Sequence, residues 1–150
     1  MREVMTKTMA RNIFYGGSVF FILIFIGLSI HSHMYIVGTS TNAKTLTEGV
    51  ARGKRVWEVN ACINCHTLHG EGAYFAPEVG NVMTRWGVIN DPKAAYETLK
   101  GWMESQPTGV AGRRQMPRFK LSDQQMKDLT EFLIWVDKTD TQNWPPNNAG

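Results

Sequence analysis

The sequence predicts an all-α protein, with one N-terminal helix long enough to cross a membrane followed by a small helical domain. Three observations predict it. From Asn12 to Ala43 the chain carries no Asp, Glu, Lys or Arg, and most of that run is apolar. Three later segments repeat apolar residues at helical spacing and open on capping residues. No segment alternates cleanly enough to be a strand.

Residues 1–11 form a short tail in which Arg2, Lys7 and Arg11 face a single acidic residue, Glu3. Residues 12–37 are the anchor. The stretch Ile13–Val37 is about 25 residues, or roughly 37 Å of helix, enough to span a bilayer with some tilt. A signal peptide would have a shorter apolar core, about 7–15 residues, followed by a small-residue cleavage site. Tyr35, Ile36 and Val37 stand where that site would be. A core helix this apolar would need a much larger protein around it, so an uncleaved anchor is expected. The basic residues place its N-terminal end in the cytoplasm and all that follows Val37 outside. Gly16, Gly17 and Ser18 would let another membrane helix come close.

Residues 38–45 read as a polar linker, 46–138 as one domain, and 139–150 as an irregular tail. In the first expected helix, residues 47–60, Thr47 is the N-cap, and Val50, Trp57 and Ala61 fall on one face. Gly53 weakens that helix, which suggests that another helix crosses there. The second helix spans residues 92–103, with Asp91 as N-cap and Pro92 at its first position. The third spans residues 122–136. Ser122 and Gln125 form a capping box, and Met126, Leu129, Leu133 and Val136 recur at helical spacing.

Between the first two helices lies Cys62-Ile-Asn-Cys65-His66. Cys-x-x-Cys-His is the attachment pattern of a c-type haem. Two thiols about one turn apart reach the two vinyl groups of one porphyrin, and the histidine that follows falls under the iron. Cys62 and Cys65 are the only cysteines in the 150 residues. A four-thiolate zinc site would need a second Cys-x-x-Cys. A thioredoxin-like pair would need a βαβ setting that is missing here. A structural disulfide gives no reason for His66. One covalently bound haem c is expected, and its attachment outside the bacterial cytoplasmic membrane agrees with the topology read from the charges.

Lys plus Arg is 16 and Asp plus Glu is 13, giving +3, and most of that excess lies in the N-terminal tail. The outer domain is therefore close to neutral, and nothing supports nucleic-acid binding. A buried porphyrin would supply much of the core of so small a domain.

This order of elements, with Gly53 and Trp57 ahead of the haem motif and a last helix carrying Phe132 and Trp135, resembles the class I cytochrome c superfamily over residues 46–138. The resemblance implies that the last helix crosses the first at Gly53. It also requires a sixth iron ligand. The candidates are Met83, Met103, Met116, Met126 and His69. His69 is too close to His66 to reach the opposite haem face, and Met103 and Met126 lie in expected helices, where methionine usually packs a core. Nothing but its neighbourhood argues against Met83. Met116-Pro117, in a loop just before the last helix, resembles the ligand loop of class I cytochromes, so His66 and Met116 are the implied axial pair. A thioether raises the potential relative to two nitrogen ligands. Around that loop, Arg113, Arg114, Arg118 and Lys120 could steer an acidic electron donor, pair with haem propionates, or be merely solvated.

The anchor, the single haem motif and Gly70-Glu-Gly-Ala-Tyr-Phe-Ala-Pro77, supported by Met116-Pro117 and Trp135, resemble the small-subunit family of bacterial nitric oxide reductases. That resemblance implies an electron-transfer subunit in the cytoplasmic membrane with no catalytic residues and no activity alone. It would accept electrons from a soluble periplasmic cytochrome c or cupredoxin and pass them to a large polytopic subunit. There haem b and a haem–non-haem iron pair turn two NO into N2O and water. His31 and His33, both near the outer end of the anchor, offer no pair for a second haem. The resemblance further implies a calcium ion between the subunits, contacted by the Gly72 carbonyl and by Tyr74. A free-standing anchored carrier, a mono-haem subunit of a terminal oxidase, and a gas-binding sensor are the alternatives.

Overall fold

The computed structural model describes residues 5–41 and 43–142. Helix α1 runs from Lys7 to Tyr35. The Thr6 hydroxyl accepts the Met9 N–H at 3.2 Å and starts the helix ahead of Asn12, so Lys7 and Arg11 lie in its first turns. Its 29 residues span about 44 Å, against roughly 30 Å of hydrocarbon. No α1 residue is buried, and Phe14, Phe21, Phe25 and Leu28 all stand exposed. Among the described residues it is the one helix long and apolar enough to cross a membrane. Such a surface needs a lipid or protein cover, since water solvates it poorly.

The expected polar linker begins as helix instead. Ile36–Ser40 continue α1 as a π-helical turn, and Ala43–Thr45 form a 3-10 turn. Asp140, expected in an irregular tail, pins this junction. Its N–H donates to the Ser40 carbonyl at 2.9 Å, and its own carbonyl accepts the Ser40 hydroxyl at 2.7 Å. Tyr35 Oη donates to its carboxylate at 3.2 Å. Trp135 Nε1 adds a bond to Thr45 Oγ1 at 3.0 Å. The end of the anchor is thereby joined to the end of the helical domain. Residues 143–150 of the expected tail lie outside the described residues.

The helical domain is built from α2 (Glu48–Val59), a strand pair β1 (Thr67–Leu68) and β2 (Glu71–Gly72), and the helices α3 (Val82–Arg85), α4 (Pro92–Glu104) and α5 (Asp123–Asp137). The three expected caps form. Thr47 Oγ1 accepts the Val50 N–H, Asp91 accepts those of Lys93 and Ala94, and Ser122 and Gln125 close a reciprocal capping box. Each such cap is worth about 1 kcal/mol. The antiparallel pair β1–β2, with Thr67 opposite Gly72, has no signature in the sequence because each strand has only two residues. Ala61, expected on the buried face of the first helix, is exposed and left-handed at φ 53°, and it turns the chain out of α2.

Helices α2 and α5 make the most extensive helix contact of the domain. They cross at Gly53, where a Cβ would lie 2.0 Å from the Asp128 carbonyl and 2.6 Å from Phe132 Cβ. Only glycine allows that approach. Val56 and Trp57 of α2 meet Leu129, Phe132 and Leu133 of α5 in the core, joined by Leu99 and Met103 of α4 and Met83 of α3. Each large apolar side chain so buried contributes about 1.5–3 kcal/mol. Arg52 clamps the crossing with two bonds of 3.0 Å to the buried Asp128 carboxylate.

Candidate haem site

Cys62 opens a 3-10 turn, Cys62–Asn64, directly after α2. Its carbonyl accepts the N–H groups of both Cys65 (3.1 Å) and His66 (2.9 Å), so the three motif residues are gathered on one tight turn. Both cysteines are free thiols. Burial pushes the Cys62 thiol up to about 11, with Cys65 adding to the rise. A thiol-exchange nucleophile needs the opposite shift. The raised Cys62 thiol therefore argues against the thioredoxin-like reading.

The imidazole of His66 is held from two sides. Nδ1 lies 2.7 Å from the Pro77 carbonyl. A carbonyl can only accept, so Nδ1 carries the proton and the lone pair of Nε2 is left for a metal. The Trp57 ring packs nearby, with centroids 6.3 Å apart, and in turn meets Phe132 at 6.4 Å. An aromatic chain therefore connects the α2–α5 crossing to the histidine.

The loop that brings Pro77 back to His66 is closed at several points. Ala73 N–H donates to the Ile63 carbonyl at 3.0 Å, Ala76 N–H to that of Cys65 at 2.7 Å, and Val79 N–H to that of Thr67 at 3.0 Å. Inside the loop sits Glu78, which in the bare sequence looks like one more loop acid. It is fully buried. Its carboxylate accepts the N–H groups of His69 (2.8 Å), Gly70 (3.0 Å) and Gly80 (2.7 Å). Burial opposes its charge, yet the Gly70, Gly80 and His69 amides, with the Thr67 side chain, more than offset it and hold its pKa below the usual value. The sequence does not single it out, because Glu71 stands among the same turn glycines Gly70, Gly72 and Gly80.

The methionine candidates separate by burial. Met103 and Met126 are core residues, as expected from their helices. Met83 is wholly buried in α3, a four-residue helix too short to be read from the sequence. Met116 is half-buried at the edge of the core, in an irregular loop. Gln115 staples that loop by accepting from Thr108 and Gly109 and donating to the carbonyls of Val110 and Arg113.

Two of the four basic residues near Met116 are engaged with backbone. Arg118 donates to the carbonyls of Glu104 (2.6 Å) and Gln106 (3.3 Å). Arg114 donates to the carbonyls of Tyr74 (3.4 Å) and Phe75, and its guanidinium lies 5.2 Å from the centre of the Phe75 ring. It ties the Met116 loop to the loop that carries Pro77. Arg113 and Lys120 stand exposed.

These residues fit a covalently held haem. Two unpaired thiols share a turn with an oriented imidazole, and Leu68, Met116, Phe119 and Leu121 are half-covered apolar residues that a porphyrin could finish burying. Residues 50–137 match the cytochrome c family model. The whole chain is 63% identical to the C subunits of nitric oxide reductase from Paracoccus denitrificans and Cereibacter sphaeroides, and 53% identical to that of Halomonas halodenitrificans, over the full length of each.

The chain belongs to the family of nitric oxide reductase C subunits. As a member it is a membrane-anchored, electron-transferring cytochrome with covalently bound haem c. The two residues implied for calcium are both exposed. Gly72 sits at φ 121°, where a Cβ would approach the His66 carbonyl to 2.3 Å, so only glycine fits. Tyr74 Oη donates to the Gly70 carbonyl at 3.2 Å. Among the described residues no three His, Cys, Asp or Glu side chains gather into a metal site.

Proposed function

We propose that this cytochrome takes electrons from a soluble periplasmic donor and hands them to the haem b-containing catalytic subunit of a nitric oxide reductase. Cys62 and Cys65 anchor its haem as thioethers, and His66 and Met116 hold the iron. The reading is carried by the contact between His66 Nδ1 and the Pro77 carbonyl on the same turn as two free thiols, which leaves Nε2 available to a metal. Full-length likeness to proteins named as nitric oxide reductase C subunits favours this over a terminal-oxidase component or a free-standing carrier.

When bound, the haem supplies a one-electron Fe(III)/Fe(II) couple. With His66 and Met116 both holding the iron, no open position would remain there for substrate. Met116 supports a potential above that of a bis-imidazole iron. Arg114 and Arg118, engaged with backbone carbonyls, favour a loop-holding role over propionate pairing, and Arg113 and Lys120 are the charges left to steer an acidic donor.

The domain plan is 1–11 cytoplasmic, 12–37 as the membrane-crossing part, 38–45 a junction, 46–138 the periplasmic haem domain and 139–150 the tail. The basic residues Arg2, Lys7 and Arg11 support that orientation. Calcium takes six to eight oxygens, so the Gly72 carbonyl and Tyr74 would be a minority share of a site completed by the large subunit.

Denaturing electrophoresis with haem staining tests the attachment. Wild-type chain keeps its stain, and Cys62→Ala or Cys65→Ala largely loses it. Met116→His then lowers the reduction potential, since a second imidazole favours Fe(III). Loss of stain from the denatured wild type overturns the reading.

A further inference from the structure

We propose that Glu78 is a positioning residue of the haem site, a buried anion that shapes the proximal loop around His66 and keeps the iron's reduction potential down. The inference rests on the haem reading above and concerns a residue outside the ligand set.

Glu78 directly follows Pro77, whose carbonyl accepts the proton of His66 Nδ1. One carboxylate oxygen takes the His69 and Gly80 N–H groups and the other takes that of Gly70. These three donors come from both sides of the loop, so the side chain draws residues 69–70 and residue 80 together and fixes the segment between them. His69 is held at φ 52°, a left-handed conformation unusual for a residue with a side chain. Its amide bond to Glu78 helps keep it there. The fit is close: a Cβ on Gly80 would lie 2.7 Å from Glu78 Oε1 and 3.1 Å from the His69 ring.

A neutral side chain would not do the same work. Glutamine has one acceptor oxygen, so its NH2 group would face an N–H and leave one of the three donors unpaired. The loop also has a simpler way to satisfy three amides, which is to face them to water. Burying a full negative charge here costs desolvation energy, and three amide bonds recover it. The electrostatic consequence follows from sign. Arg85 donates to the Glu78 backbone carbonyl at 2.6 Å and offsets part of this charge. The buried carboxylate still favours Fe(III) over Fe(II), and so does a His66 made more electron-rich by a well-placed Pro77 carbonyl.

The test uses the full chain with its haem attached, comparing wild type, Glu78→Gln and Glu78→Asp by spectroelectrochemical titration and by EPR of the oxidised haem. Glu78→Gln should shift the Fe(III)/Fe(II) ratio at fixed applied potential three- to tenfold toward Fe(II), about 30–60 mV positive for one electron. Its g-values, which follow the imidazole plane, should move as well. Glu78→Asp keeps the charge and should lie closer to wild type. A ratio within twofold of wild type and unchanged g-values in Glu78→Gln, with haem still attached, overturn the proposal. If Glu78→Gln does not accumulate, Gly80→Ala decides, because its methyl group displaces the carboxylate without removing it. Unchanged potential and g-values there overturn the proposal equally. Failure of the haem reading would look different, as wild-type chain that loses its haem on denaturation.

Discussion

His66 Nδ1 lies 2.7 Å from the carbonyl of Pro77, eleven residues further along the chain. That contact turns a sequence motif into an oriented ligand. It fixes which ring nitrogen carries the proton, and backbone bonds from Ala73, Ala76 and Val79 close the loop around it. Arg114 ties this loop to the one that carries Met116, because its guanidinium reaches the carbonyls of Tyr74 and Phe75.

Arg114→Lys should therefore loosen the Met116 side without touching a ligand. Lysine cannot bond two neighbouring carbonyls and stack on Phe75 at once. With Met116 as the proposed sixth ligand, the reduced wild-type protein should take up CO very slowly. The variant should bind it at least several-fold faster in rapid-mixing measurements. Equal rates would show that this arginine does not hold the loop.

Gly53→Ala should destabilise the domain despite alanine's better helix propensity, worth about 1 kcal/mol. The added methyl group meets the Asp128 carbonyl at 2.0 Å, and a helix backbone cannot step aside as a side-chain end could. A loss of about 1–3 kcal/mol or more is expected, read as a lower denaturant midpoint by circular dichroism. Gly101→Ala, with open space at its Cβ, is the control and should be neutral or stabilising.

The acid limb of stability should follow the carboxylates. The hydrogen bonds from Arg52 lower the pKa of Asp128, Lys127 and Tyr96 take Asp123 down to about 2, and Glu78 is lowered by its amides against the effect of burial. A lowered folded pKa gives stability that is complete above the unfolded value, about 4, and lost as pH falls through the folded one. The protein should hold its stability down to about pH 4 and lose it below. Asp128→Asn should be less stable at neutral pH but show a shallower acid limb. An unchanged slope between wild type and Asp128→Asn would remove Asp128 from this account.

What can be read in the sequence is local or chemically singular. Thr47, Asp91 and the Ser122–Gln125 box start their helices by bonds that span two or three residues, so their positions follow from the sequence alone. Gly53 is legible because a glycine inside a good helix needs a reason. The haem motif is legible because two thiols and an imidazole at that spacing serve few other purposes.

The rest depends on where the chain returns in space. Glu78 reads as a surface acid until three amides converge on it. Pro77 carries its role in a backbone carbonyl, which no residue type reveals. Met83 sits in a helix of one turn, shorter than any period that could announce it. Asp140 lies far from Ser40 in sequence, and the bonds between them form only once α5 has packed.

Separating and recombining the subunits tests the central claim most directly. The purified chain with its haem should be reduced rapidly by a small soluble electron donor and consume no NO. Adding the large catalytic subunit should restore steady conversion of NO to N2O, and His66→Ala or Met116→Leu should abolish or strongly slow it. Steady NO consumption by the purified chain alone would contradict the account.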